Sequence, residues 1–132
     1  MLRNWFFIKT DRVNVKVHLS DILYVKALKN YVRIVTSEKN WMTLLSMKQM
    51  EQALPRDSFC RIHRSFIVSL DHLSAFDRQT AWVSQYELPI GENYRHVLER
   101  YVIGPNIESL LQSRSVLVDS GMAPEELNVM AC

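Results

Sequence analysis

Residues 22–36 read Ile-Leu-Tyr-Val-Lys-Ala-Leu-Lys-Asn-Tyr-Val-Arg-Ile-Val-Thr. Two apolar, β-prone runs flank a short polar break. Ile22-Leu23-Tyr24-Val25 is continuous rather than alternating, the pattern of a strand buried on both faces. Lys29-Asn30 interrupts it. Tyr31-Val32-Arg33-Ile34-Val35-Thr36 is rich in β-branched residues and reads as the next strand. The polar tetrapeptide Ser37-Glu38-Lys39-Asn40 turns the chain, and Trp41-Met42-Thr43 starts back. Strands joined by such short turns pair antiparallel.

The pattern extends in both directions. Upstream, Val13, Val15 and Val17 alternate with Asn14, Lys16 and His18, so one face of that strand is apolar. Asp11-Arg12 reads as a tight turn after a strand at Phe6-Phe7-Ile8. Downstream, Ser46 and Gln49 fit a capping box, and Met47, Met50 and Leu54 share one helical face until Pro55 stops it. Short strands resume at Phe59-Cys60-Arg61-Ile62 and Phe66-Ile67-Val68, then near residues 73–76, 81–83 and 86–89. A second helix is expected from about Asn93 to Val102, with Val97, Leu98 and Tyr101 buried, ended by Gly104-Pro105. The expected fold is mainly β: an elongated antiparallel structure of about ten short strands with two short helices. No strand–helix–strand alternation points to a parallel sheet.

The expected division is one domain over residues 1–102 and a C-terminal extension over residues 103–132. Asn106 is placed to cap a short helix with Ile107, Leu110 and Leu111 on one face. Residues 115–118 could pair as a strand, and Pro124-Glu125-Glu126-Leu127 could open a helical turn. A dimerisation or regulatory segment and a disordered extension both fit this composition.

Charge is unevenly spread. Residues 1–102 hold 15 Lys+Arg against 10 Asp+Glu, a net +5, while residues 103–132 hold one Arg against four acidic residues, a net −3. A basic body suits a polyanion partner. No run of about 18 apolar residues is present to span a membrane, and the expected location is the cytoplasm. Cys60 and Cys132 form no CxxC pair and read as reduced thiols.

Catalytic patterns are missing. GxGxxG, GxxxxGK[ST], GxSxG and HExxH do not occur. His18, His63, His72 and His96 share no metal-ligand spacing. Cys60 and His63 are three apart in a strand, which places them on opposite faces and argues against a nucleophile–base pair. The acidic pair, phospho-acceptor Asp and Lys of a receiver are absent too. No enzyme, catalytic residue, cofactor or metal is expected.

Three nitrogen-rich segments punctuate the strands instead: Lys29-Asn30-Tyr31-Val32-Arg33, Arg61-Ile62-His63-Arg64-Ser65 and Gly91-Glu92-Asn93-Tyr94-Arg95. Arg pairs bidentately with guanine, Asn with adenine, and hydroxyls reach phosphate oxygens. Asn93 could also present a helix N-terminus to phosphate. Each segment has a plainer reading: a hairpin turn at Lys29-Asn30, a surface ion-pair partner at Arg64, a helix cap at Asn93.

These segments also carry a resemblance. Leu19-Ser20-Asp21-Ile22-Leu23-Tyr24-Val25 resembles the entry "L-x-D-I-L-Y-I" of LytTR-type DNA-binding domains, and Asn30-Tyr31-Val32-Arg33-Ile34 resembles their "N-Y-V-x-I". Residues 59–68 resemble the signature "F-x-R-I-H-R-S-Y/F-I-V", and residues 88–94 the closing "L-P-I-G/S-R-N/R-Y". The segments occur in order over about residues 6–102.

The resemblance implies sequence-specific binding of double-stranded DNA as a transcriptional regulator, through loops docked in successive major grooves. It implies pairing on direct-repeat operators, with possible homodimers on DNA, and a receiver domain or histidine-kinase pathway upstream. By position, the implied DNA-contacting residues are Lys29, Asn30, Tyr31 and Arg33, then His63, Arg64 and Ser65, then Asn93, Tyr94 and Arg95. Ile22, Tyr24, Ile67 and Val68 fall in the core. Two departures stand out: the family commonly has Asn where this chain has Ser69, and Arg where it has Glu92. The alternative expectation is an interaction or regulatory module of the same fold with weak or no DNA binding. Glu92 and the acidic tail favour that alternative.

Overall fold

The continuous apolar run becomes the central strand of the largest sheet. The computed structural model describes residues 3–104, and the chain divides into two compact units, Met1–Val97 and Leu98–Cys132. Ten strands form in the first unit: β1 (Trp5–Thr10), β2 (Val13–His18), β3 (Ile22–Ala27), β4 (Val32–Thr36), β5 (Asn40–Thr43), β6 (Phe59–His63), β7 (Phe66–Ser69), β8 (Leu73–Phe76), β9 (Thr80–Val83) and β10 (Tyr86–Pro89). Helix α1 (Met47–Ala53) joins β5 to β6, and α2 (Arg95–Glu99) follows a 3₁₀ turn at Glu92–Tyr94. A second 3₁₀ turn, Leu19–Asp21, leads into β3.

All pairings are antiparallel. The five-stranded sheet has the order β5-β4-β3-β7-β6, beside a β1-β2 ribbon and a three-stranded β10-β9-β8 sheet. β3 therefore has a strand on each side, and its first four residues, Ile22 to Val25, are buried. The β1–β2 turn places Asp11 and Arg12 at φ 50° and 69°. Two successive left-handed residues give the turn a twist that matches the strands it joins.

One face of the five-stranded sheet packs Val25, Val32, Ile34, Phe59 and Ile67 against Ile8 and Val17 of the ribbon and Met47, Met50 and Leu54 beside α1. The capping box forms as expected: the Ser46 hydroxyl accepts from the Gln49 N–H at 3.1 Å, and Gln49 Oε1 accepts from the Ser46 N–H at 2.9 Å. On the opposite face Tyr24 meets Tyr86 of β10 edge-on, with ring centroids 5.1 Å apart. Ile22, Tyr24, Ile67 and Val68 are all buried, as expected.

Several boundaries differ from the sequence expectation. β3 runs on to Ala27, because antiparallel partners on both sides hold Lys26 and Ala27 extended. Asn40 belongs to β5 rather than to the preceding turn. The second helix is shorter and begins differently: Asn93 lies inside the 3₁₀ turn, the residue before that turn is Gly91, and regular helix ends at Glu99. Asn93 is therefore not its cap. In the second unit, residues 98–104 are described; the Tyr101 and Val102 N–H groups bond to the Leu98 and Glu99 carbonyls at 3.0 Å. The elements expected from Asn106 onward lie outside the described residues. Among the described residues no helix is long and apolar enough to cross a membrane.

Ile34 is fully buried in the β4 centre. Ile34→Ala is expected to destabilise the domain by about 2–5 kcal/mol in urea unfolding, through lost burial and the cavity left behind. Ser46→Ala, which removes one half of the capping box, is expected to cost only about 1 kcal/mol.

Candidate nucleic-acid interface

Antiparallel pairing decides where the three nitrogen-rich segments meet. The β3–β4 turn leaves the sheet after Ala27, and β7 enters beside it, with Lys26 opposite Phe66. The β6–β7 turn, Arg64 and Ser65, therefore lies at the same end of the sheet. A direct bond ties the end of β3 to the β6–β7 turn: the Ala27 N–H donates to the Ser65 carbonyl at 2.8 Å. The third segment arrives from β10, and its Gly91 N–H donates to the Ile62 carbonyl of β6 at 2.8 Å. Three segments distant in sequence thus gather at one end of the sheet.

Within this cluster the Leu28 N–H closes the first turn on the Tyr31 carbonyl at 2.8 Å, leaving Lys29, Asn30 and Tyr31 exposed. Arg33 is not on the turn; it lies half-buried on the sheet face, one residue beyond Val32. Arg64 is exposed, and Ser65 and His63 are half-buried. Glu92 and Asn93 are exposed on the 3₁₀ turn, and Tyr94 and Arg95 are half-buried. The Arg95 Nε is buried with no hydrogen-bond partner. Gly91 sits close to β6: a Cβ there would come within 3.1 Å of Tyr94 Cδ2 and 3.5 Å of His63 Cα. The tight contact is with Tyr94 of the same segment, and the His63 distance is ordinary van der Waals contact.

Sequence reasoning passed over Arg61 as a site residue. Its guanidinium binds the turn from below: Nη2 donates to the Arg64 carbonyl at 2.6 Å, and Nε to the His63 carbonyl at 3.3 Å. Nη1 pairs with Glu51 of α1 at 3.0 Å. Helix, strand and turn are tied through one side chain. An Arg three residues before another gave no hint of this, because the partners are carbonyls and a carboxylate from another element.

The parity expected of Cys60 and His63 does not hold. A bulge between Arg61 and His63 inserts one residue, so Cys60 pairs with Val68 and His63 with Phe66. Those partners are two apart on β7 and share a face, which places Cys60 and His63 on one face as well. His63 is nonetheless engaged otherwise. Its Nδ1 accepts the Ser65 N–H at 3.0 Å, and its ring meets Phe66 edge-on at 5.6 Å. An accepting Nδ1 leaves the proton of the neutral imidazole on Nε2. Burial, then the charges of Arg64 and Arg61, holds the His63 pKa below its ordinary value. Among the described residues no cluster of three or more His, Cys, Asp or Glu could hold a metal ion. Ser69, the first departure from the family pattern, is buried at the end of β7 opposite Phe59.

The family model of the LytTr DNA-binding domain matches residues 12–102. The chain belongs to the LytTR DNA-binding domain family. It is 31% identical over 86 residues to the sensory transduction protein LytT of Bacillus cereus, covering 65% of this chain and 34% of that protein. It is 33% identical over 63 residues to the CO-responsive transcriptional regulator RcoM of Rhodospirillum rubrum, covering 48% and 27%. The LytTR chain thus spans about a third of the length of these curated relatives or less. The solved LytTr DNA-binding domain of a methyl-accepting/DNA response regulator from Bacillus cereus superposes with a TM-score of 0.63 at 26% identity, covering 74% of this chain and 95% of that one.

The His63 contact has a pH consequence. Its folded pKa is depressed, so its contribution to stability is complete above the ordinary histidine value of about 6.5 and declines as pH falls through that value towards the folded pKa. Thermal melts from about pH 8 to about pH 5 should show a loss that His63→Gln reduces. An identical pH profile for that variant would contradict the assignment.

Proposed function

We propose that this LytTR domain binds a specific sequence of double-stranded DNA as the output element of a transcriptional regulator. The carrying observation is the gathering of three cation-bearing segments at one end of the five-stranded sheet by two backbone hydrogen bonds. Lys29, Asn30, Tyr31, Arg64, Ser65, Asn93 and Tyr94 stand on or beside the turns that would enter the major groove. Turns on a paired sheet present side chains at fixed spacing, which direct base readout requires.

In this reading Lys29, Arg33, Arg64 and Arg95 neutralise phosphates, and about four such contacts give a log–log salt slope near −3.6. Asn30, Asn93 and the Nε2–H of neutral His63 are groups able to read base edges. Direct-repeat operators bound by pairs of domains, and control by a receiver or histidine-kinase pathway, complete the proposal. Because every identified group is a binding rather than a reacting group, the proposed role is not enzymatic.

A second reading is an interaction module with weak DNA affinity. One observation favours it: exposed Glu92 stands in the third segment, where a carboxylate repels phosphate.

Selection from a random duplex library at two salt concentrations tests both. Enrichment of a direct-repeat motif that weakens with salt is the expected result; no retention at either concentration selects the second reading. On the enriched operator, Arg64→Ala should weaken binding by about 1–3 kcal/mol while leaving the unfolding midpoint unchanged. Unchanged operator affinity would remove Arg64 from the interface.

A further inference from the structure

The register of the five-stranded sheet builds a row that belongs to none of the three turns. Met42 of β5 pairs with Arg33 of β4, Arg33 with Lys26 of β3, Lys26 with Phe66 of β7, and Phe66 with His63 of β6. Directly opposed residues share a face. The row therefore crosses the whole sheet, about 19 Å at the usual strand spacing. It lies on the face opposite Val25, Ile34 and Ile67, which pack towards α1 and the β1–β2 ribbon.

At its centre Lys26 and Arg33 stand directly opposite each other. Like charges in that relation destabilise a sheet unless an anion compensates them. Among the described residues the ion pair is Arg61–Glu51, and neither Lys26 nor Arg33 takes part in one. Their neighbours in the row, Phe66 and Met42, are apolar. Lys26 Nζ lies 5.9 Å from the Phe66 ring centroid, a contact that orients the ammonium without neutralising it. Both cations are half-buried, so their field is screened less than that of free surface lysines. The pair also stands directly behind the β3–β4 turn and one bond from the β6–β7 turn.

We propose that Lys26 and Arg33 form a phosphodiester site on the face of the five-stranded sheet, an anchor separate from the turns. The site rests on the duplex-binding reading given above and adds Lys26 to it. A backbone phosphate beside the groove would sit between the ammonium and the guanidinium. Its charge would convert a repulsive cross-strand pair into a bridged one. Such a contact carries no sequence information, so it acts on affinity alike for every duplex.

The test is a salt titration of duplex binding by the full chain and by Lys26→Glu, Lys26→Arg and Lys48→Glu, each melted in parallel. Lys26→Glu puts a carboxylate opposite Arg33, an attractive pair, so its melting temperature should not fall. Its affinity should drop about tenfold at about 0.1 M salt, with a slope shallower by about 0.9, for operator and unrelated duplex alike. Lys26→Arg should restore both. Lys48→Glu makes the same charge change on an exposed position of α1, away from this face, and should change the slope far less. If Lys26→Glu unfolds the domain, Lys26→Gln takes its place with the same expectation. A wild-type slope for folded Lys26→Glu, or an equal loss in Lys48→Glu, overturns the site while leaving duplex binding intact. A wild-type chain that holds no duplex at any salt overturns the duplex reading and this site with it.

Discussion

The register of β3 against its two neighbours is the constraint on which the rest depends. β3 pairs with β4 through Tyr24–Val35, Val25–Ile34 and Lys26–Arg33, and with β7 through Tyr24–Val68, Val25–Ile67 and Lys26–Phe66. A slip of β3 by one residue would exchange its two faces, turning Val25 away from the α1 side and Lys26 towards it. Burial on both faces makes that slip costly, so the strand ends are held firmly. Because β4 and β7 both pair antiparallel to β3, their loops must emerge at the same end of the sheet. The meeting of the β3–β4 and β6–β7 turns is thus a geometric result of pairing, secured by the Ala27–Ser65 bond.

The β6 bulge adjusts what that frame presents. One inserted residue turns His63 onto the face of Phe66 and brings its Nδ1 to the Ser65 N–H. Arg61 remains on the α1 side, where it reaches Glu51 and the carbonyls of the turn together. The bulge thereby separates two roles in adjacent residues. Arg61 is spent on holding the turn, while Arg64 projects into solvent. Bulges commonly re-aim side chains beside functional sites, and this one acts that way on the family signature.

Electrostatics at this end of the sheet is one-sided. Cations are exposed or half-buried, and Glu92 is the one carboxylate within the three segments. Arg61, which does have a carboxylate partner, is the cation with a structural task. The division between a paired, bracing arginine and cations that form no ion pair among the described residues suits a surface that meets a polyanion.

Much of this was legible in the residues. The unbroken run Ile22-Leu23-Tyr24-Val25, the alternation at residues 13–18 and the Ser46–Gln49 box are local patterns, and local sterics and burial set strands and caps. The same holds for the four ordered family segments. What tertiary structure alone decided depends on contacts between elements. The bulge at His63 reversed the expected parity with Cys60, because register is set by the partner strand and not by counting along one chain. The late start of α2 followed from a 3₁₀ turn packed against β6 through Gly91. Lys26, directly after the run Ile22–Val25, belonged to none of the three nitrogen-rich segments. Only pairing with β4 placed it across from Arg33, since a cross-strand neighbour has no fixed separation in sequence.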